Sequence, residues 1–99
     1  MTIAEELTRR IKVAAPEEAD DFGILTSRLE IPDSDPMTVY ELAYRGAGEQ
    51  TLFLEEWDNG SFRTVDTTGA WDHDTAEAAV EDFIDLFVAI YEIEEPSEY

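Results

Sequence analysis

The spacing of apolar residues divides the chain into six predicted elements. Ile3, Leu7, Ile11 and Ala14 return at helical intervals, with Thr2 and Glu5 placed as a capping box in front and Pro16 behind, which predicts a first helix between them. Glu5 with Arg9 and Glu6 with Arg10 stand four residues apart in the favourable orientation, so this helix balances its own charge. PEEADDFG reads as a turn, or one helical turn, ending at Gly23. ILTSRLEI (24–31) then alternates, with Leu25, Ser27, Leu29 and Ile31 on one side, which is the period of a strand.

PDSDP (32–36) is a loop bounded by prolines, and MTVYELAYR (37–45) puts Tyr40, Leu42 and Tyr44 on one face of a second strand. GAGE breaks it, and QTLFLEEW (50–57) follows. Asn59-Gly60 is the preferred pair for a type I′ turn, whose two central residues need positive φ, so QTLFLEEW and SFRTVDT are expected to form a hairpin. TTGAWDHD (67–74) is the expected connection to a last helix. That helix would open with Asp74 as N-cap and Glu77 three residues on, and run to about Ile93 ahead of Pro96. The order α-β-β-β-β-α, with no internal repeat or linker, predicts one acidic α+β domain over residues 1–99. Its architecture would be a small antiparallel meander of about four strands with an N-terminal and a C-terminal helix on one sheet face.

Composition sharpens this picture. An apolar share of 43% and eleven aromatic residues in 99 supply a modest core, which a disordered chain of this charge would lack. The absence of cysteine excludes disulfides, thiolate metal sites and thiol nucleophiles. MTIAEELTRRIKV has no apolar core of an export signal, and the longest apolar run, LFVAIY (86–91), is far too short to span a bilayer. The expectation is a cytoplasmic protein without membrane contact.

Charge carries most of the functional information. Twenty-five acids against six bases leave −19, which repels nucleic acid and anionic lipid alike, so direct nucleic-acid binding is not expected. The first 49 residues hold eleven acids and five bases, the last 50 fourteen acids and one base. Residues 64–99 contain eleven acids and no base at all. On the last helix Val80, Phe83, Ile84, Phe87, Ile90 and Tyr91 form the apolar stripe. Glu77, Glu81 and Asp85 form an i,i+4 ladder opposite it, flanked by Asp82 and Glu92. Like-charged neighbours cost about 0.2–0.5 kcal/mol each in an isolated helix. Glu92, Glu94 and Glu95 fall at the helix end where carboxylates are disfavoured. An ordinary solvated face mixes both signs, so a cation-free tail asks for a further reason.

Three readings supply one. A rigid row of carboxylates can occupy the cationic groove of a nucleic-acid-handling protein and gain the counterion-release and steering terms that DNA gains. In size, charge and acidic-face helices the chain resembles the small acidic proteins by which phages and mobile elements block host restriction, repair or CRISPR enzymes. That resemblance implies a non-enzymatic inhibitor, of the anti-CRISPR or anti-restriction type, whose partner-binding residues are Glu77, Glu81, Asp82, Asp85, Glu92, Glu94 and Glu95. The second reading is adaptation of a cytosolic domain to high intracellular salt. Five Arg to one Lys resembles haloarchaeal usage, whereas seven Ile to five Val, and fifteen Glu to ten Asp, depart from it. An immunity protein or antitoxin that plugs a basic toxin site shares the physics of the first. A homodimer is left open.

Catalytic chemistry finds little to work with. His73 is the single histidine, and Asp72-His73-Asp74 has no second histidine or thiolate to complete a metal site. Asp33 and Asp35 lack the further ligands of a calcium loop. Glu55-Glu56 and Glu81-Asp82 are adjacent, so their side chains diverge rather than form a dyad. No phosphate loop, GxSxG or HExxH is present; no catalytic residue, metal ligand or cofactor is expected. Trp57, Tyr40, Tyr44 and Trp71 are candidates for partner anchors or for core. Arg28, Arg45 and Arg63 are expected to neutralise sheet carboxylates such as Glu30, Glu41 and Glu55.

Overall fold

Thr2 sets the start of the first helix, α1 (Ile3–Ala14). Its hydroxyl accepts from the Glu5 amide at 3.1 Å and the Glu5 carboxylate accepts from the Thr2 amide at 3.4 Å. With Glu5 occupied at the cap, Glu6 takes the pairing expected of both. Its carboxylate holds Arg9 at 2.5 Å and lies 3.9 Å from Arg10. Past Pro16 a short 3₁₀ turn (Ala19–Asp21) leads into the sheet.

The computed structural model describes residues 2–30, 32–33, 35–45 and 52–91. Five strands, β1 (Phe22–Leu29), β2 (Met37–Tyr44), β3 (Leu52–Trp57), β4 (Phe62–Asp66) and β5 (Ala70–His73), lie in chain order, every neighbouring pair antiparallel. Among the described residues a second helix, α2 (Ala76–Ile90), follows them. The fold is α+β, a meander with a helix before and after it.

The fifth strand comes out of the predicted connection. Asp66 makes it, because its carboxylate accepts from the Thr68 amide and hydroxyl at 2.7 Å and from the Gly69 amide at 3.0 Å. The chain reverses there and Ala70 pairs with Val65. Burial would raise the Asp66 pKa, but these three hydrogen bonds together hold it below the usual value. The β3–β4 hairpin forms as expected but with a different turn. The Gly60 amide bonds to the Trp57 carbonyl at 3.0 Å and the Trp57 amide to the Ser61 carbonyl at 2.9 Å. Gly60 alone of the pair has positive φ, 92°. This is a three-residue loop built on a type I turn with a glycine bulge, and Asn59 contributes its side chain, accepting from the Ser61 amide at 2.9 Å. The cap of α2 is Thr75, one residue later than expected, its hydroxyl accepting from the Ala78 amide at 3.1 Å.

Both helices rest on one face of the sheet. Tyr40, Leu42, Leu52 and Leu54 meet Leu7 and Ile11 from α1 and Ala79, Val80, Phe83, Ile84 and Phe87 from α2, all buried. α2 crosses β3, β4 and β5, while α1 packs on α2 and β1. On β1 the alternation runs in the opposite phase to the expected one: Phe22 and Ile24 pack on the core, and Leu25 and Leu29 remain 56% and 42% exposed. An edge strand whose outer face is open to solvent tolerates leucines there. Ile31 lies outside the described residues. Phe22 stacks on Tyr44 at 4.7 Å and meets Phe87 and Tyr91 edge-on at 4.8 and 5.0 Å, tying β1 and β2 to the end of α2.

Candidate functional site

The sequence-predicted residues divide in two when placed on α2. Glu77, Glu81 and Asp85 are exposed and follow one another at four-residue steps, about 6 Å apart along the axis. They form a row facing away from the sheet. α2 carries no Lys or Arg of its own, but Arg10 of α1 reaches within 3.9 Å of Glu81, so the row is not wholly without a cation. A cavity of about 340 Å³ opens between the first turns of the two helices, with Glu6, Arg10 and Glu77 among its lining beside Ile3 and Val80. Glu92, Glu94 and Glu95 lie outside the described residues.

Asp82 does not join the row. It stands three residues after the buried Ala79, on the side of α2 that meets the sheet, and it is half-buried. Its Oδ2 accepts a short hydrogen bond from the hydroxyl of Thr64, which is wholly buried on β4, and lies 2.9 Å from Nε2 of His73 on β5. Thr64 and His73 are themselves 3.2 Å apart. The composition suggests a nucleophile, base and acid, but the geometry differs from such a relay. There the histidine stands between the other two and uses both ring nitrogens. Here one ring nitrogen faces both partners, and the carboxylate takes the hydroxyl hydrogen bond directly. The arrangement satisfies a buried hydroxyl and pins β4 and β5 to α2. In the sequence Asp72 and Asp74 flank His73, but its partner nine residues on emerges only because Ala70–His73 is a strand beneath α2.

The other charged groups find local uses. Arg28 grips Asp58 with two bonds, 2.8 and 2.6 Å, and donates to the Thr38 hydroxyl at 3.2 Å, joining β1 to the β3–β4 turn. That guanidinium holds the Asp58 carboxyl below the usual range. Arg63 pairs with Asp72 at 3.0 Å across β4 and β5. Arg28 and Arg63 make their ion pairs with Asp58 and Asp72, while Glu30 acts on Arg28 through its charge and Glu55 stands across from Arg63 in the β3–β4 register. Glu55 and Glu56 diverge to opposite faces. Glu55 accepts from Trp57 Nε1 at 3.3 Å on the open face, and Glu56 accepts from the Tyr40 hydroxyl at 2.8 Å. Burial, helped by this carboxylate, pushes the Tyr40 phenol up to about 12. Asp35 accepts from the Asn59 amide at 3.4 Å, and no group of three or more potential metal ligands converges among the described residues.

Exposed carboxylates are not confined to α2. Glu17, Glu18, Asp20 and Asp21 lie before β1, Glu30, Asp33 and Asp35 between β1 and β2, and Glu41 on the sheet face away from the helices. Among the described residues no helix is long and apolar enough to cross a membrane. Comparison with models of protein families, with curated proteins and with solved structures gives no match to the chain.

Proposed function

We propose that the protein is a non-catalytic inhibitor that presents the outer row of α2 to the basic surface of a nucleic-acid-handling protein, as a mimic of a nucleic-acid backbone. The observation that carries this reading is the exposed series Glu77, Glu81, Asp85 on a helix with no cation of its own. Carboxylates about 6 Å apart fall near every second phosphate of a strand, whose phosphates advance about 3.4 Å each. α2 is fixed to the sheet by its apolar stripe and by Asp82, so the row needs no ordering when it binds. Held rigidly, it would exchange counterions with a cationic groove as DNA does. The test is displacement of labelled duplex DNA from purified restriction and CRISPR nucleases, followed by fluorescence anisotropy. The expected result is displacement that weakens as KCl rises and is lost in the triple variant Glu77→Lys, Glu81→Lys, Asp85→Lys with its circular dichroism unchanged. Equal displacement by that variant would sink the proposal.

A second reading, adaptation to high salt, is favoured by the spread of acids over the other exposed segments. It predicts a chain that unfolds near 0.05 M KCl and gains structure toward 3 M, where the Debye length has fallen from over about 10 Å to under about 3 Å. Full folding at low salt would remove it.

A further inference from the structure

The sheet ends in two edges of different construction. β5 is four residues long and carries Asp72, its side chain 82% exposed, so it offers little to a sixth strand. β1 is eight residues long and pairs with β2 without interruption from Phe22↔Tyr44 to Leu29↔Met37. Within a chain of twenty-five acids, FGILTSRL contains none, and it has neither proline nor bulge. Residues 25–29 are all exposed. Among the described residues, the one device for blunting an edge strand that β1 carries is the single charge of Arg28.

We infer that β1 is a homodimer edge, pairing antiparallel with β1 of a second copy about a two-fold axis at Ser27. A two-fold axis normal to the sheet keeps each side chain on its own face, so it must fall on a residue. Centred on Arg28 it would set Arg28 against its own copy. Centred on Leu25 it would leave Leu29 facing Asp21. Centred on Thr26 it would leave Leu29 facing Gly23. Centred on Ser27 it places Leu25 opposite Leu29 of the second copy, and Leu29 opposite Leu25. Arg28 then faces Thr26, Ile24 faces Glu30, and no like charges are opposed along the strand, Asp21 meeting Asp33 only beyond its ends. This register is the one that covers the two most exposed apolar side chains of the strand and joins the sheets into one of ten strands.

Two copies of a −19 chain repel, so screening must tighten this dimer. Binding of a cationic partner by α2 would respond to salt in the opposite sense, which keeps the two proposals separately testable. The experiment is sedimentation equilibrium of the full chain in 0.15 M and 2 M KCl, with single-thiol variants of a protein that has no cysteine. The dissociation constant of the dimer should fall about tenfold or more between the two salts. Ser27→Asp, which opposes like charges at the axis, should weaken it about tenfold with the circular dichroism spectrum unchanged. Paired Cα atoms in an antiparallel ladder are about 4.5–5.5 Å apart, within disulfide reach, so Ser27→Cys should cross-link under mild oxidation. Val13→Cys, also exposed but on α1, should not. A monomer at both salts, a dimer weakened by KCl, or Ser27→Cys cross-linking no faster than Val13→Cys would overturn the inference.

Discussion

α1 and α2 cover the same sheet face and obey opposite charge rules. α1 holds Arg9, Arg10 and Lys12 beside its acids, closes its first turn with a capping box, and buries two residues, Leu7 and Ile11. α2 has no cation, stacks Glu77, Glu81 and Asp85, and buries five. Magnitudes explain the difference. Two like-charge steps cost α2 roughly 0.4–1 kcal/mol together. Burying Phe83 or Phe87 alone contributes about 1.5–3 kcal/mol. A helix with enough apolar burial is released from electrostatic economy, and its outer face becomes free to carry whatever charge function requires. A helix with little burial has to be stabilised by its caps and pairs.

The comparison breaks most visibly in the core. Phe83→Ala should lower the unfolding free energy by about 3–5 kcal/mol, and Leu7→Ala on α1 by about 2–5 kcal/mol, read from urea midpoints. If α1 were the stronger anchor, the order would reverse. Next comes the pin beneath α2: Thr64→Val keeps the volume but removes the hydroxyl that Asp82 accepts from, and should cost about 1–3 kcal/mol in the same assay. The smallest effect sharpens the charge contrast. Asp85→Asn, past the first turn where the helix dipole favours acids, should stabilise by about 0.2–0.5 kcal/mol by relieving the row, while Glu6→Gln should destabilise.

The Glu6 effect also has a sign in pH. The Arg9 hydrogen bond, ahead of the opposing effect of burial, holds the Glu6 carboxyl below its ordinary value of 4.5. Its contribution is therefore complete above that value and is lost as pH falls through the lowered pKa. The difference between wild type and Glu6→Gln should vanish in strong acid, as measured by midpoints across pH 7 to pH 2.

Much of this contrast was legible in the sequence, because periodicity reports burial directly. The apolar stripe of α2, the α1 capping box and the Tyr40–Leu42 face of β2 all follow from spacing alone. Where tertiary pairing decides, spacing misled. Ala70–His73 has no period of its own and becomes a strand because Asp66 turns it onto β4. Leu25 and Leu29 alternate like core residues but face outward, because the same strand places Phe22 and Ile24 inward. Asp82 resembled its acidic neighbours until Thr64 and His73, from two different strands, were brought beneath it. The Arg10–Glu81 approach joins residues that only the docked helices bring together.

That approach has a kinetic consequence. Arg10 and Glu81 stand some seventy positions apart, and closing a loop of that length costs about 4 kcal/mol in chain entropy before any contact rewards it. The strands need only short reversals, such as the three-residue loop at Gly60. The meander and α2 should therefore assemble first, with α1 docking after the rate-limiting step. In chevron measurements Leu7→Ala would then accelerate unfolding and leave the folding rate nearly untouched, whereas Leu54→Ala in β3 would slow folding.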